Sequence, residues 1–324
     1  MTDTVRYWVI DSFANAPYTG NPAGVVLDAD SLDEVQMQVI AREINAAETA
    51  FVSRLSDLHR PALLRWFTPT CEVKFCGHAT LAAAHALYDS GAVAIKHDSS
   101  QPTVQFETSA GELSLRAEPM PEPDVGPLWW LEMPEPSLTP DNTNPMRTTE
   151  LLGITLDDLE PGVPIMRTRD DDLIIMIKSW TTLVHLRPHF HELKAWCEQH
   201  KIRGISVATR NTLDNTTDVH SRFFAPAFGI DEDPVTGSVH GPLATLLVIN
   251  DRIPMIAGKA ALNCMQGQPG GRTGLVRALV EQSDQGYRVM IGGRCYKTLF
   301  GELTVPARGD PTLAGIPQNA GKAV

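Results

Sequence analysis

Residues 75–87 read FCGHATLAAAHAL, and residues 232–247 read EDPVTGSVHGPLATLL. Each stretch carries a polar loop through a glycine, Gly77 or Gly237, into small and apolar residues at helical length. Upstream of each lies a strand-like segment ending in proline. These are Arg65-Trp66-Phe67-Thr68-Pro69 and Arg222-Phe223-Phe224-Ala225-Pro226, and the second loop is three residues longer than the first. A strand–loop–helix unit that occurs twice predicts two pseudo-symmetric domains. Each helix start offers unpaired backbone N–H groups and the positive end of a helix dipole. Glycine lets a ligand approach that backbone. Two such starts facing one cleft would hold a carboxylate. The other reading is that both glycines only permit tight turns, and the motif alone weighs the two evenly.

Working outward, VRYWVIDSF (5–13) reads as a first strand, TGNPAG (19–24) as a turn and VVLDAD (25–30) as a second strand. Ser31 with Glu34 three residues on has the capping-box pattern, and Leu32, Val35, Val39 and Ile40 form an apolar helical stripe, predicting a helix over 32–44. ETAFVS (48–53) follows as a strand, so Glu48 stands at a helix-to-strand junction. TVQFET and ELSLRA predict a hairpin. The run EPMPEPDVGP (118–127), with four prolines, is the linker candidate. It sets domains at 1–120, open to completion by a C-terminal strand, and at 121–308, with a poorly ordered tail over 309–324. In the second half LIIMIK, GISVAT and VHSRFFAP read as strands, and HFHELKAWCEQH as a helix. Asp170-Asp171-Asp172 reads as a solvated turn before a strand.

The chain has 324 residues, room for two domains, and 43% hydrophobic content, ordinary for a folded protein. A formal net charge of -12 argues against unspecific binding of nucleic acid or anionic membrane. The five cysteines show no disulfide framework and suit reduced thiols. No leader-like or membrane-length apolar run is evident, and the expectation is a cytoplasmic protein.

Taken in order, DSFANAPYTGNPAGVVLDA, NAAETAFV, LRWFTPTCEVKFCGHATLAAAHAL and DEDPVTGSVHGPLATLL, and more weakly QGQPGGRTG and GGRCYKTLFGELTVP, resemble the PhzF-like phenazine-biosynthesis isomerase family over Val5 to about Pro306. That family shares its fold with diaminopimelate epimerase. The resemblance implies an α+β protein of two pseudo-symmetric domains. Each is a curled, mostly antiparallel, barrel-like sheet around a central helix, with the site in the cleft between them. It implies cofactor-free proton movement between carbons of a small carboxylated substrate, of which the family's trans-2,3-dihydro-3-hydroxyanthranilate is one candidate. The partner is then that small molecule, not nucleic acid or membrane, and the assembly a homodimer. Glu48 of E-T-x-F-V matches the family's proton-moving glutamate. His78 of C-G-H-A-T and Asp233 and Ser238 of D-P-V-T-G-S match its other catalytic positions. Gly77, Gly237, Asn21, Cys76 and Thr236 fall at substrate-binding positions.

Each candidate has a plainer reading. Glu48 is a solvated residue before a strand, or a carboxylate among Ala46, Ala47, Ala50 and Phe51 whose proton affinity desolvation raises, as a general base needs. His78 is a satisfied histidine at a helix start, or a neutral imidazole serving a substrate. Asp233 and Ser238 cap a helix, or position substrate. A two-thiol racemase would need cysteines at both helix starts, but the counterpart of Cys76 is Thr236, which supplies no thiolate. Cys76 reads better as a small buried residue. Cys71, Cys76 and His78 offer three ligands without a closed metal site, so no metal is expected. His185, His189 and His191 straddle Pro188 and read as a loop entering a surface helix. QGQPGG is weak evidence for phosphate, and Arg272 beside it either holds an anion or is a surface charge. A non-catalytic acid-binding protein of the same fold is the alternative function.

Overall fold

The computed structural model describes residues 3–57, 59–92, 103–120, 126–284 and 286–309. The chain divides into two units, Met1–Leu131 with Gly293–Val324, and Glu132–Gly292. In order, the first unit holds β1 (Thr4–Ser12), β2 (Asn21–Val26), α1 (Glu34–Ile44), β3 (Glu48–Ser53), β4 (Ala62–Phe67), β5 (Glu72–Val73), α2 (Gly77–Ser90), β6 (Thr103–Thr108), β7 (Gly111–Glu118) and β8 (Leu128–Met133). The second holds β9 (Leu138–Pro140), α3 (Pro145–Leu152), β10 (Met166–Thr168), β11 (Asp172–Met176), α4 (Trp180–Val184), α5 (Phe190–His200), β12 (Gly204–Thr209), β13 (Val219–Ala225), β14 (Ile230–Asp233), α6 (Gly237–Ile249), β15 (Lys259–Gln266), β16 (Gly274–Ser283) and β17 (Gly286–Gly293). The chain then returns to the first unit as β18 (Cys295–Thr304).

In the first unit the strands pair in the order β18–β1–β2–β3–β4–β6–β7–β8. Only β2–β3 and β4–β6 are parallel, because a helix, α1 or α2, carries the chain across between them. The second unit repeats the plan as β9–β10–β11–β12–β13–β15–β16–β17. Its parallel pairs are β11–β12, crossed by α4 and α5, and β13–β15, crossed by α6. Each sheet is curled and open. In α2, every residue from His78 to Leu87 is buried. In α6, burial runs from Val239 to Val248 with Pro242 the exception. A helix apolar all round has no solvent face, so a sheet must wrap it.

The helix over 32–44 is shorter than its pattern suggests. Asp33, not Ser31, is the N-cap: its carboxylate accepts from the Gln36 N–H at 2.9 Å, and the Gln36 amide oxygen accepts from the Asp33 N–H at 3.0 Å. Gln36 also donates to the Pro306 carbonyl at 2.7 Å, a long-range contact that settles which box closes. Ala29–Ser31 is a separate 3-10 turn.

The sequence expectation placed the division at 120 and left open a returning strand; the two units meet in sequence at Leu131/Glu132 and Gly292/Gly293. Half of the linker candidate, 121–125, and nearly all of the tail, 310–324, fall outside the described residues. All five cysteines are free thiols. Among the described residues no helix is long and apolar enough to cross a membrane.

Candidate active site

Glu48 is the first residue of β3, opposite Ala23 of β2, and half-buried. His78 is the second residue of α2 and buried. Their side chains meet, with Nε2 of His78 3.2 Å from Oε2 of Glu48. Burial pushes the imidazole down to about 4. At neutral pH the ring is therefore uncharged, and the contact is an imidazole N–H donating to a carboxylate rather than an ion pair. The backbone of His78 is held by the Ser12 hydroxyl, at the end of β1, which donates to the His78 carbonyl at 2.7 Å. Asn21 is fully buried at the start of β2, directly opposite Ser12.

Cys76 is the N-cap residue of α2, but its thiol makes no cap hydrogen bond. Its Sγ lies 3.4 Å from Nδ1 and 4.0 Å from Nε2 of His78. A sulfur on the Nδ1 lone-pair axis would lie much farther from Nε2 than from Nδ1, so these distances put it off that axis. The contact suits packing better than proton transfer. Glu48, Cys76 and His78 place their ligand atoms within 4.8 Å of one another.

Gly77 has an ordinary backbone, and a Cβ added there would meet nothing nearer than the Phe75 ring at 3.9 Å. Neither a left-handed turn nor packing requires glycine at this position. The tight-turn reading therefore fails here, and the open helix start remains.

In the second unit Asp233 ends β14 and Thr236 is the N-cap of α6. The Thr236 hydroxyl donates to Oδ2 of Asp233 at 2.5 Å. Gln266, fully buried at the end of β15, clamps both: it accepts from the Thr236 N–H at 3.0 Å and donates to the Asp233 carbonyl at 2.8 Å. Gly237 and Ser238 open the helix, and Oγ of Ser238 accepts from Nη2 of Arg203 at 3.0 Å. Arg203 grips Asp172 through Nε at 2.8 Å and through Nη2. Asp172 is 1% exposed, which corrects its reading as part of a solvated turn: the Arg203 fork compensates its charge inside the unit.

The repeat runs deeper than its glycines. Arg65 holds Glu72 bidentately at 2.7 and 2.7 Å, and Arg222 holds Glu232 at 2.8 and 2.7 Å. Each guanidinium also lies 5.1 Å from the centroid of the phenylalanine two residues on, Phe67 or Phe224. The register aligns Thr49, opposite Phe67, with Ile205, opposite Phe224. Glu48 therefore corresponds to Gly204. A Cβ at Gly204 would lie 2.1 Å from Cζ of Phe223, so a side chain there requires that ring to move.

The structure thus joins Glu48, His78 and Cys76 in one unit, and Asp233, Thr236 and Ser238 around one helix start in the other. Sequence reasoning missed Ser12, Asp172, Arg203 and Gln266. Asp172 heading the apolar run LIIMIK was a visible signal; the partners of the others are set by strand register.

The chain matches the family described as phenazine biosynthesis-like protein over residues 10–299. A Clostridium acetobutylicum relative named an isomerase is 34% identical over 300 residues, covering 91% of this chain and 97% of its own. One from Pseudomonas aeruginosa, also named an isomerase, is 37% identical over 295 residues, 91% and 96%. The crystal structure of a PhzF-family phenazine biosynthesis protein from Bacillus anthracis superposes with a TM-score of 0.82 at 25% identity, covering 93% of this chain and 99% of that one. The chain belongs to the phenazine biosynthesis-like family and is an isomerase.

Proposed function

We propose that this isomerase moves a proton between two carbons of a small carboxylated substrate, with Glu48 as the single acid/base and no cofactor. The observation that carries the reading is the Glu48–His78 contact at 3.2 Å, made by a buried, neutral ring. The imidazole N–H orients the carboxylate that would take a proton from a substrate C–H. In the forward step a C–H bond breaks and its proton passes to Glu48. The electron pair enters the π system conjugated with the substrate carboxyl group. Glu48 then returns the proton to a second carbon, so a new C–H bond forms and nothing is consumed. Asp233 and Ser238 are assigned to holding the substrate, and the amides at Gly77 and Gly237 to its carboxylate.

The Gly204 position favours isomerisation by one base over epimerisation by two. A mechanism drawing one carboxylate from each repeat finds none at the second position, where the Phe223 ring crowds the glycine. Thr236 in place of a second thiol argues equally against a cysteine-dependent racemase. The substrate class is that of amino- or hydroxy-acids with a dihydro-hydroxyanthranilate-like diene among the candidates.

The test is turnover in heavy water with a panel of such acids. The expected result is deuterium at carbon in product, and a fall of about 10²–10⁴-fold in rate for Glu48→Gln. Wild-type exchange by Glu48→Gln would sink the mechanism.

A further inference from the structure

The Arg203–Ser238 contact has a directional consequence. A guanidinium has five N–H donors and no acceptor, so Ser238 can only accept from it. Once Oγ accepts, the hydroxyl proton must point elsewhere. Nothing on the Ser238 side chain is seen to take that proton among the described residues, and the residue is half-buried at the second position of α6. The arginine is itself immobilised. Its Nε and Nη2 are committed to Asp172, a carboxylate at 1% exposure, and Asp170 lies 4.0 Å from Nη2. Asp233 also acts on Arg203 electrostatically. Three acids thus surround this cation, and they limit how much positive field it delivers outward. What it delivers with certainty of direction is the Nη2–H bond to Oγ.

We propose that Arg203 is a positioning residue that fixes the Ser238 hydroxyl as a hydrogen-bond donor toward an anionic group of the substrate. This rests on the reading of Ser238 as a substrate-holding residue. A hydroxyl free to rotate serves a donor or an acceptor equally. One that already accepts from a guanidinium is polarised and has its proton turned away from the arginine, which favours donation to a carboxylate at this helix start. Lysine would not replace the arginine, because an ammonium lacks the rigid fork that bridges Asp172 and Ser238 at once.

The test uses Ser238→Cys in the full-length chain, which puts a titratable, alkylatable group at the same point and needs no substrate. Two probes are compared, anionic iodoacetate and neutral iodoacetamide, with the modified peptide followed by mass spectrometry. With Arg203 present, the introduced thiol is expected to titrate below the ordinary cysteine range of about 8.5. It should also show an iodoacetate-to-iodoacetamide rate ratio several-fold above that of free glutathione. In the background Arg203→Gln with Asp172→Asn, which leaves neither partner charged and unpaired, both effects should fall to the share of the helix start alone. Should that background fail to fold, Arg203→Lys keeps Asp172 paired and is expected to reduce the ratio. A thiol pKa and a probe ratio indifferent to residue 203 would overturn the proposal, since a purely structural arginine moves neither. Both readouts are independent of turnover, so a failure of the Glu48 mechanism is told apart from a failure here.

Discussion

At the residue scale, the proposed chemistry rests on one contact: Glu48 and His78 touch, and the Cys76 sulfur lies 3.4 Å from Nδ1 of the same ring. Cys76→Ala is therefore expected to keep kcat within about threefold of wild type, because it removes packing and not a proton carrier. A loss of several orders of magnitude in a steady-state assay would return the thiol to the mechanism. His78→Gln retains a donor for Glu48 and should cost less than His78→Leu, which leaves the carboxylate without it; kcat for the two variants ranks these effects. Glu48 and His78 were both legible from their motifs. Their mutual contact was not, since 30 residues separate them and β2–β3 pairing sets the distance.

Elements show the same device built twice at different depths. The Arg65–Glu72 pair leaves its side chains 28% and 32% exposed, whereas Arg222 in the Arg222–Glu232 pair is only 4% exposed. Arg222 also donates to the carbonyls of Leu183 and Leu186, at 3.1 and 3.2 Å. Arg222→Met strands Glu232 and two carbonyls, and is expected to cost about 3–5 kcal/mol. Arg65→Met, in a wetter setting, should cost about 1 kcal/mol. Urea denaturation of the two variants tests the order; equal losses would mean that depth does not matter here. Gly204→Ala belongs to the same scale: the added methyl meets the Phe223 ring and should cost about 1–3 kcal/mol. Phe223→Leu in the same chain should recover part of it.

For the whole molecule, topology and buried histidines make separate predictions. β18 pairs with β1 along the length of that strand, from Thr4↔Thr304 to Ser12↔Cys295. Ending the chain at Gly293 should therefore expose amides of the first unit to rapid hydrogen exchange, while those of β12, β13 and β15 stay protected. Protection of β1 in the shortened chain would contradict this. Burial also pushes His78, His85 and His240 down to about 4. Unfolded, each titrates near 6.5, so between 6.5 and 4 the unfolded chain binds more protons and stability falls as pH falls. The slope is about 1.4 kcal/mol per pH unit for each histidine within that window. His85 accepts from the Trp129 indole through Nδ1 at 3.4 Å, an acceptor that protonation removes. His85→Gln keeps an acceptor and should flatten the melting-temperature profile below pH 6.5 by one proton's share.

Local pattern by itself determined the twofold repeat and the two helices without a solvent face. These follow from apolar periodicity and glycine placement, which act over a few residues. Tertiary structure decided which cap closes at α1, that Asp172 is buried, that Arg203 and Gln266 hold the second helix start, and that Gly204 stands where Glu48 would be. Each of these depends on strand register or on a partner tens of residues away. Such contacts arise only when the chain closes long loops and buries charge, and no local spacing encodes them.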